Sequence, residues 1–287
     1  MDIFTEISPF KAFLKGVRAS GNSIGLVPTM GALHKGHLSL LEASKSENFV
    51  TICSIYVNPA QFNNPQDLVK YPRTFDKDSE LLKKVGCDVI FSPTNSEMYP
   101  EDPMIRFEFG HLDEVMEGKF RPGHFSGVAL VVAKLFNIVQ PDRVYFGQKD
   151  WQQLAIIRRM VEELKFNLSL HSIPTTREPD GLALSSRNQR LLPNQREKAS
   201  VFYRALTHAK EAMTVKKKPL PGVRESIQKM FNEVSDARLE YLELADSVNL
   251  KLLESVEEAS RPILCIAGYI GDIRLIDNMF LDLSPEG

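Results

Sequence analysis

The feature that most constrains this chain is the apolar run at residues 24–27, which ends in Pro28-Thr29-Met30-Gly31-Ala32-Leu33-His34-Lys35-Gly36-His37. A run this short reads as a buried strand, and Pro28 and Gly31 mark its exit into a turn. Two imidazoles follow at a spacing of three, and Leu38, Leu40 and Leu41 then predict a helix over 38–46. Backbone N–H groups, a helix N-terminus and two potential cations thus gather at the carboxyl end of a strand, a setting suited to nucleotide phosphates. Two alternatives stand beside this: a histidine pair that only hydrogen-bonds, or a metal site. The metal reading lacks the i,i+4 spacing and the glutamate of a zinc helix.

Bulk composition excludes several classes. At 287 residues the chain exceeds one ordinary core, so two domains are expected. Its 35 basic and 37 acidic residues provide no electrostatic drive toward DNA or RNA, and no nucleic-acid partner is expected. Cys53, Cys87 and Cys265 lie in apolar runs without metal-ligand spacing and read as small core residues in a reducing compartment. Residues 1–6 lack a basic leader region, and the longest apolar stretch, 127–139, is too short to span a bilayer and contains Lys134. A cytoplasmic protein without membrane association is the expectation.

Strands at 24–27, 50–57, 88–91, 143–146 and 168–173 alternate with helices at 38–46, 76–85, 127–138 and 151–164. This alternation predicts an α/β architecture, a parallel sheet with helices on both faces, over residues 1–175. Ligands would bind beyond the carboxyl ends of the strands, near Pro28, Asn58 and Gly147. After Thr175 the pattern changes to a turn at 178–181, a loop at 185–188 and helices at 195–213 and 223–234. Asn194 with Glu197 would open the first of these as a capping box. Strands at 238–244, 263–270 and 273–277 complete a smaller α+β C-terminal domain, 176–287, hinged on the first.

Several loops carry chemistry but also admit plain structural roles. In Phe146-Gly147-Gln148-Lys149-Asp150, Asp150 could cap a helix with Gln153 closing the box, while Lys149 could reach a phosphate. Ser185-Ser186-Arg187 could be solvated surface or, past a hinge, could cover the first domain's site with a guanidinium fork suited to phosphate. The amides of Asn58 and Gln61 could serve a small substrate's hydroxyls or carboxylate, or could merely hold a turn. The loops around Tyr71 and around Arg121 and His124 are equally ambiguous. Asp76, Asp78 and Asp150 are candidate Mg²⁺ partners, although Mg²⁺ leans on substrate phosphates and keeps several waters.

Taken jointly, the HxGH turn, the lysine loop and the Ser-rich basic loop resemble the HxGH nucleotidylyltransferase and class I aminoacyl-tRNA synthetase superfamily, with the last loop in the place of KMSKS. The strings PTMGALHKGH, YVNPAQF, YPRTFDKD, FRPGHFSGV, KLFNIVQPD, FGQKDWQQL and REPDGLALSSRN are similar to the motifs of the pantoate–β-alanine ligase (pantothenate synthetase) family. They stand in that family's order over roughly residues 20–200.

The resemblance implies a Rossmann-like first domain and an ATP-dependent ligase. Pantoate's carboxylate would attack the α-phosphorus of ATP to give pantoyl adenylate and pyrophosphate, and β-alanine's amine would then give pantothenate and AMP. By motif, ATP would be held by Met30, Gly31, Ala32, Leu33, His34, Lys35, Gly36 and His37, by Gly147, Gln148, Lys149 and Asp150, by Thr176, and by Leu184, Ser185, Ser186 and Arg187. His37 would be the proton donor, with His34, Lys149 and Arg187 also catalytic. Gln61 and Gln153 would bind pantoate, Gln61 also β-alanine, and Met30, Val131 and Phe146 would pack on the gem-dimethyl group.

The resemblance further implies Mg²⁺ carried mainly by the ATP phosphates, with no protein ligand assigned, and a homodimer. A covering loop near 117–125 would shield the hydrolysis-prone adenylate. Leu130, where the family has a small polar residue, and Leu184, where it often has methionine, are departures that touch no phosphate ligand. Two rivals stay open. A nucleotidylyltransferase acting on a phosphorylated substrate would need cations that Gln61 and Gln153 do not supply. A non-catalytic nucleotide sensor would have no need of both histidines, Lys149 and Arg187.

Overall fold

The structure, a computed structural model, describes residues 1–281. In chain order, β1 (Asp2–Phe4), α1 (Ile7–Ala19), β2 (Ile24–Thr29), α2 (Lys35–Glu47), β3 (Val50–Ile55), α3 (Pro65–Lys70), α4 (Phe75–Lys84) and β4 (Val89–Phe91) come first. Then follow α5 (Asn95–Met98), α6 (His111–Glu114), α7 (Met116–Phe120), α8 (His124–Val139), β5 (Arg143–Gly147), α9 (Trp151–Glu163) and β6 (Ser169–Ile173). The remainder holds α10 (Pro193–Lys198), α11 (Val201–Thr214), α12 (Leu220–Asn232), β7 (Ala237–Asp246), β8 (Pro262–Ile270) and β9 (Ile273–Phe280).

The first six strands form one parallel sheet in the order β1-β4-β3-β2-β5-β6. From β2 the chain moves outward through β3 to β4, and from β5 it moves the other way to β6, so the direction reverses between β2 and β5. Loops leaving the carboxyl ends of two strands at such a reversal diverge to opposite faces and leave a crevice. All six residues of β3 are buried, as a central strand covered on both faces requires. One face packs Phe10 and Leu14 of α1, Val128, Val132 and Phe136 of α8 and Leu154 of α9. The other packs Leu40 and Leu41 of α2 and Leu82 of α4.

The last three strands form an antiparallel sheet, β7-β8-β9, whose alternation serves two cores. Leu242, Leu244, Leu264 and Ile266 face Phe202, Leu206, Val223 and Phe231 of α11 and α12. Tyr241, Ala245, Ile263, Cys265 and Ala267 instead belong to the same apolar cluster as Met116, Trp151 and Phe125.

The α/β class, the parallel sheet and the smaller α+β C-terminal part stand as expected, the antiparallel pairing of the last three strands being added by the structure, and the differences have local causes. Strand β2 runs two residues past Val27, because the N–H of Tyr56 donates to the Thr29 carbonyl at 3.1 Å and keeps the ladder going beyond Pro28. Helix α2 opens at Lys35 and not at Leu38, which puts His34 at its N-cap and His37 in its first turn. The helix expected over 195–213 is two helices, α10 and α11. Pro193 at the first position sets the start, and Gln195 Oε1 accepts the N–H of Leu192 at 3.0 Å, so the Asn194–Glu197 box does not form. Strand β1 and helix α1 went unforeseen, although Phe10, Phe13, Leu14 and Val17 carry helical spacing.

Candidate active site

At the end of β2 the chain makes a turn with two consecutive positive φ angles, +77° at Gly31 and +50° at Ala32. A Cβ on Gly31 would lie 3.0 Å from Asp78 Oδ2 and 3.2 Å from Ile55 Cγ2, so glycine is required for conformation and for space alike. The turn is held by Asp78 of α4, which is buried. Its Oδ2 accepts the N–H of Ala32 at 2.9 Å and its Oδ1 the N–H of Leu33 at 2.8 Å, while the Thr74 hydroxyl donates to Oδ2 at 3.1 Å. Asp78 therefore anchors the loop, which corrects its reading as an Mg²⁺ partner. Thr29 Oγ1 fixes the near side, accepting from Gly31 N–H at 3.2 Å and donating to the Ser54 carbonyl at 2.7 Å.

His34 is the N-cap of α2 and His37 its third residue, and together they form a capping box built from imidazoles. Gly36 N–H donates to His34 Nδ1 at 3.2 Å, and His34 N–H donates to His37 Nδ1 at 3.3 Å. With Nδ1 accepting in both rings, the neutral rings carry their proton on Nε2. Burial, aided by the Lys149 amine, lowers the His34 pKa to about 4. Burial, with His34 and Lys149 adding to it, lowers that of His37 to about 3. The two rings, centroids 4.0 Å apart, thus meet a ligand as neutral N–H donors and not as resident cations. The backbone donors of Gly31, Ala32, Leu33, His34 and Gly36 are all engaged inside the protein. Five of the backbone N–H groups in the stretch expected to cradle phosphate are thus turned inward, and the two imidazoles face the cleft.

These rings line a cleft of about 220 Å³ at the sheet's reversal point, together with Met30, Gly36, Gly147, Lys149, Asp150, Gln153 and Gln61. Thr176, Leu184, Ser185, Ser186 and Arg187 close it from the C-terminal side, and Val131 and Phe146 give it apolar wall. Gly31, Ala32 and Leu33 are buried outside the lining, Lys35 is exposed, and Gln148 donates to the Ser172 hydroxyl at 3.3 Å. The Asp150 side chain makes no capping bond at α9, so the expected box with Gln153 is absent and both side chains line the cleft.

The 176–190 segment is tied to its surroundings by short contacts. Leu184 N–H donates to the Thr176 carbonyl at 3.0 Å, and Arg177 pairs with Ala183 across a tight turn. The Ser186 hydroxyl meets the Tyr71 hydroxyl at 3.1 Å. Arg187 and Arg190 grip opposite oxygens of Asp67 on α3, at 3.1 and 2.6 Å. Although burial opposes it, these two cations hold the Asp67 carboxyl below its usual range. An incoming phosphate would compete with Asp67 for Arg187.

Asn58 and Gln61 divide the two roles left open for their turn. Asn58 is buried and fully engaged, donating to Gln61 Oε1 at 3.1 Å and to the Gly127 carbonyl at 3.0 Å and accepting from Tyr99 at 2.9 Å. Gln61 keeps its amide at the cleft, with Nε2 3.2 Å from Met30 Sδ. His124, whose pKa burial lowers to about 3, donates through Nδ1 to the Gln61 carbonyl at 2.8 Å. Gly127 makes this approach possible, because a Cβ there would sit 2.1 Å from the Ala60 carbonyl oxygen.

The 117–125 stretch was expected as a covering loop; its first part is the pinned helix α7. The buried Glu117 carboxylate accepts two bonds of 2.7 Å from Arg274 and one of 2.9 Å from Tyr241. Burial opposes ionisation, yet Arg274 holds the Glu117 pKa down to about 2.

Two outcomes follow. Replacing Asp78 by alanine orphans the N–H groups of Ala32 and Leu33, at about 1–3 kcal/mol each; urea denaturation will show the loss, and an unchanged midpoint would remove Asp78 from this role. His34, His37 and His124 are depressed below the unfolded value of 6.5. The unfolded chain binds protons first, so their contribution is complete above about pH 6.5 and is lost as pH falls toward 4 and 3. A His124→Gln variant should lose less stability than the parent between pH 6.5 and 4.5; an equal loss contradicts the assignment.

Comparison with known proteins agrees with this geometry. Residues 2–280 match the family described as pantoate-beta-alanine ligase. The chain is 46% identical over 279 residues to pantothenate synthetase of Bacteroides thetaiotaomicron, covering 97% of this chain and 98% of that one. It is 44% identical over 284 residues to the Moorella thermoacetica protein of the same name, covering 99% and 100%. The crystal structure of the Thermus thermophilus enzyme superposes with a TM-score of 0.91 at 40% identity, covering 98% of this chain and 100% of that one. The Francisella tularensis pantoate-beta-alanine ligase, complexed with beta-gamma ATP and beta-alanine, gives 0.83 at 37% identity and 98% coverage of each. The turn, the cleft and the full-length match lead to one conclusion: the chain belongs to the pantoate–β-alanine ligase family.

Proposed function

We propose that this cleft joins pantoate to β-alanine through a pantoyl adenylate, using ATP and releasing pyrophosphate and AMP. The observation that carries the reading is how the lining divides. Lys149 and Arg187 are its only lysine or arginine side chains among the described residues, and they stand with the His34 and His37 N–H donors and the Ser185 and Ser186 hydroxyls. Elsewhere on the wall, Gln61 and Gln153 offer amides and Met30, Val131 and Phe146 apolar groups. The first set suits a triphosphate. The second suits a branched hydroxy acid and supplies no cation for a second phosphorylated substrate, which disfavours a nucleotidylyltransferase acting on one.

In the first half-reaction a pantoate carboxylate oxygen attacks the α-phosphorus and the bond to pyrophosphate breaks. Lys149, Arg187 and the two imidazole N–H groups stabilise the charge that develops on the phosphate oxygens. His34 and His37 keep Nδ1 on backbone N–H groups and present neutral Nε2–H groups to the phosphate oxygens, His37 being the donor to the transferring phosphate. Gln61 and Gln153 orient the pantoate hydroxyls, and Gln61 also faces the incoming β-alanine. In the second half-reaction the amine attacks the acyl carbon, the acyl–phosphate bond breaks, and the amine gives up a proton.

We assign Mg²⁺ to the ATP phosphates. Asp150 is the one carboxylate among the described lining residues, and Asp78 is engaged with the turn. We also propose that residues 1–175 and 176–287 act as separate domains, in keeping with their two sheets. A homodimer follows from the family resemblance, and a cytoplasmic setting is supported by three buried, free cysteines. No helix among the described residues is long and apolar enough to cross a membrane.

Pantoate should support exchange of labelled pyrophosphate into ATP, with AMP accumulating once β-alanine is added; folded, ATP-binding protein that shows no exchange would sink the ligase reading. Changing His37 to alanine should lower the exchange rate by roughly 10²–10³-fold, as loss of one transition-state donor does. A rate near the parent's would leave His37 a structural cap only.

A further inference from the structure

We propose that Asp277 and Asn278, adjacent on β9 and outside the cleft lining, are positioning residues that set Lys149 and the Ser185–Arg187 loop in register with each other. The inference rests on the reading of Lys149 and Arg187 as phosphate ligands. Both residues are buried in a strand whose neighbours Ile273, Leu275 and Ile276 are apolar or pack on apolar clusters. Two adjacent buried polar side chains are costly there unless fully partnered, and their partners are the two phosphate-facing loops.

Asn278 uses both hydrogens of its amide. Its Nδ2 donates to the Gln148 carbonyl at 2.9 Å and to the Lys149 carbonyl at 2.8 Å, so it grips the peptide groups on either side of the Lys149 Cα. Asp277 takes Arg177 in a two-pronged ion pair, Nη1 to Oδ2 at 2.6 Å and Nη2 to Oδ1 at 2.9 Å. The same guanidinium donates to the Asn278 carbonyl at 3.1 Å and to the Gly181 carbonyl at 3.0 Å. Arg177 and Gly181 belong to the tight turn whose return limb leads into Leu184–Arg187. One dipeptide thus holds, from behind the cleft, the loop ending β5 and the loop that follows β6. Position matters here because a displacement of about 1 Å in a charge-bearing group can cost of order 10²-fold in rate.

The geometry separates this role from general support of the fold. If Asn278 acts through Lys149, its removal matters only while the Lys149 amine is present. The test is a double-mutant cycle on pantoate-dependent pyrophosphate exchange in the full chain, with Asn278→Leu, Lys149→Ala and the pair. Asn278→Leu alone should lower kcat by about 10–100-fold, with the KM for pantoate changed less than twofold because Gln61 and Gln153 are untouched. In the Lys149→Ala background the same change should cost less than threefold. Equal losses in both backgrounds, or a pantoate KM that rises with the fall in kcat, would overturn the inference. Should Asn278→Leu not fold, Asn278→Ser, which keeps a polar side chain but loses the two-hydrogen grip, runs the same cycle. Absence of exchange in the parent protein would count against the ligase reading itself, whereas exchange with an additive cycle counts only against the role of Asn278.

Discussion

The site hangs on one buried carboxylate. Asp78 reaches from α4 into the turn after β2 and takes the N–H groups of Ala32 and Leu33. Left-handed backbone at a non-glycine residue such as Ala32 costs about 1–2 kcal/mol, whereas each hydrogen bond to an ionised group contributes about 1.5–3 kcal/mol. Two such bonds outweigh the strain and hold the turn. It delivers the chain to His34 at the start of α2, where the His34 ring accepts the Gly36 N–H and the His37 ring accepts the His34 N–H, leaving Nε2 of each toward the cleft. The HxGH spacing therefore serves first as a helix cap. Because the N–H groups of Gly31, Ala32, Leu33, His34 and Gly36 are already engaged, the imidazole side chains are what this turn presents to the cleft.

The C-terminal sheet contributes more than a cover. Its one face completes a core with α11 and α12, and its other face joins the apolar cluster of the first sheet. Polar ties from the first part of the chain reach this sheet and its flanking turns, among them Glu117 with Arg274 and Tyr241, Asn278 with the Lys149 loop, and Trp151 with the Ser247 carbonyl. A reaction that makes a hydrolysable acyl adenylate gains from walls held this way, since water exclusion and fixed charge placement depend on the same contacts.

Much of this was legible in the chain. Strands β2 to β6 announced themselves by short apolar runs, and the reversal of strand order put the cleft where Pro28, Asn58 and Gly147 had suggested. Residues of the cleft that stand on strand ends, such as Lys149 and Gln61, could be found because each loop follows its strand directly. What could not be read were partners distant in sequence. Asp78 lies 46 residues from Ala32, and Asn278 lies 129 from Lys149. Nothing in local pattern distinguishes an aspartate that anchors a turn from one that waits for a metal, because the distinction is made by burial and by which amides face it. The capping roles shifted for a similar reason: the imidazoles at 34 and 37 took the positions that Ser and Glu usually fill, and Pro193 preempted Asn194.

The most direct measurement follows oxygen from pantoate. With the carboxylate labelled by oxygen-18, ATP and β-alanine added in excess, attack on the α-phosphorus transfers one labelled oxygen to the phosphate of AMP, and mass spectrometry of the AMP reads it. The cleft described here predicts label in AMP and none in the inorganic products. Label appearing in inorganic phosphate, with unlabelled AMP or ADP beside it, would mean attack on the terminal phosphorus and would contradict the acyl-adenylate account.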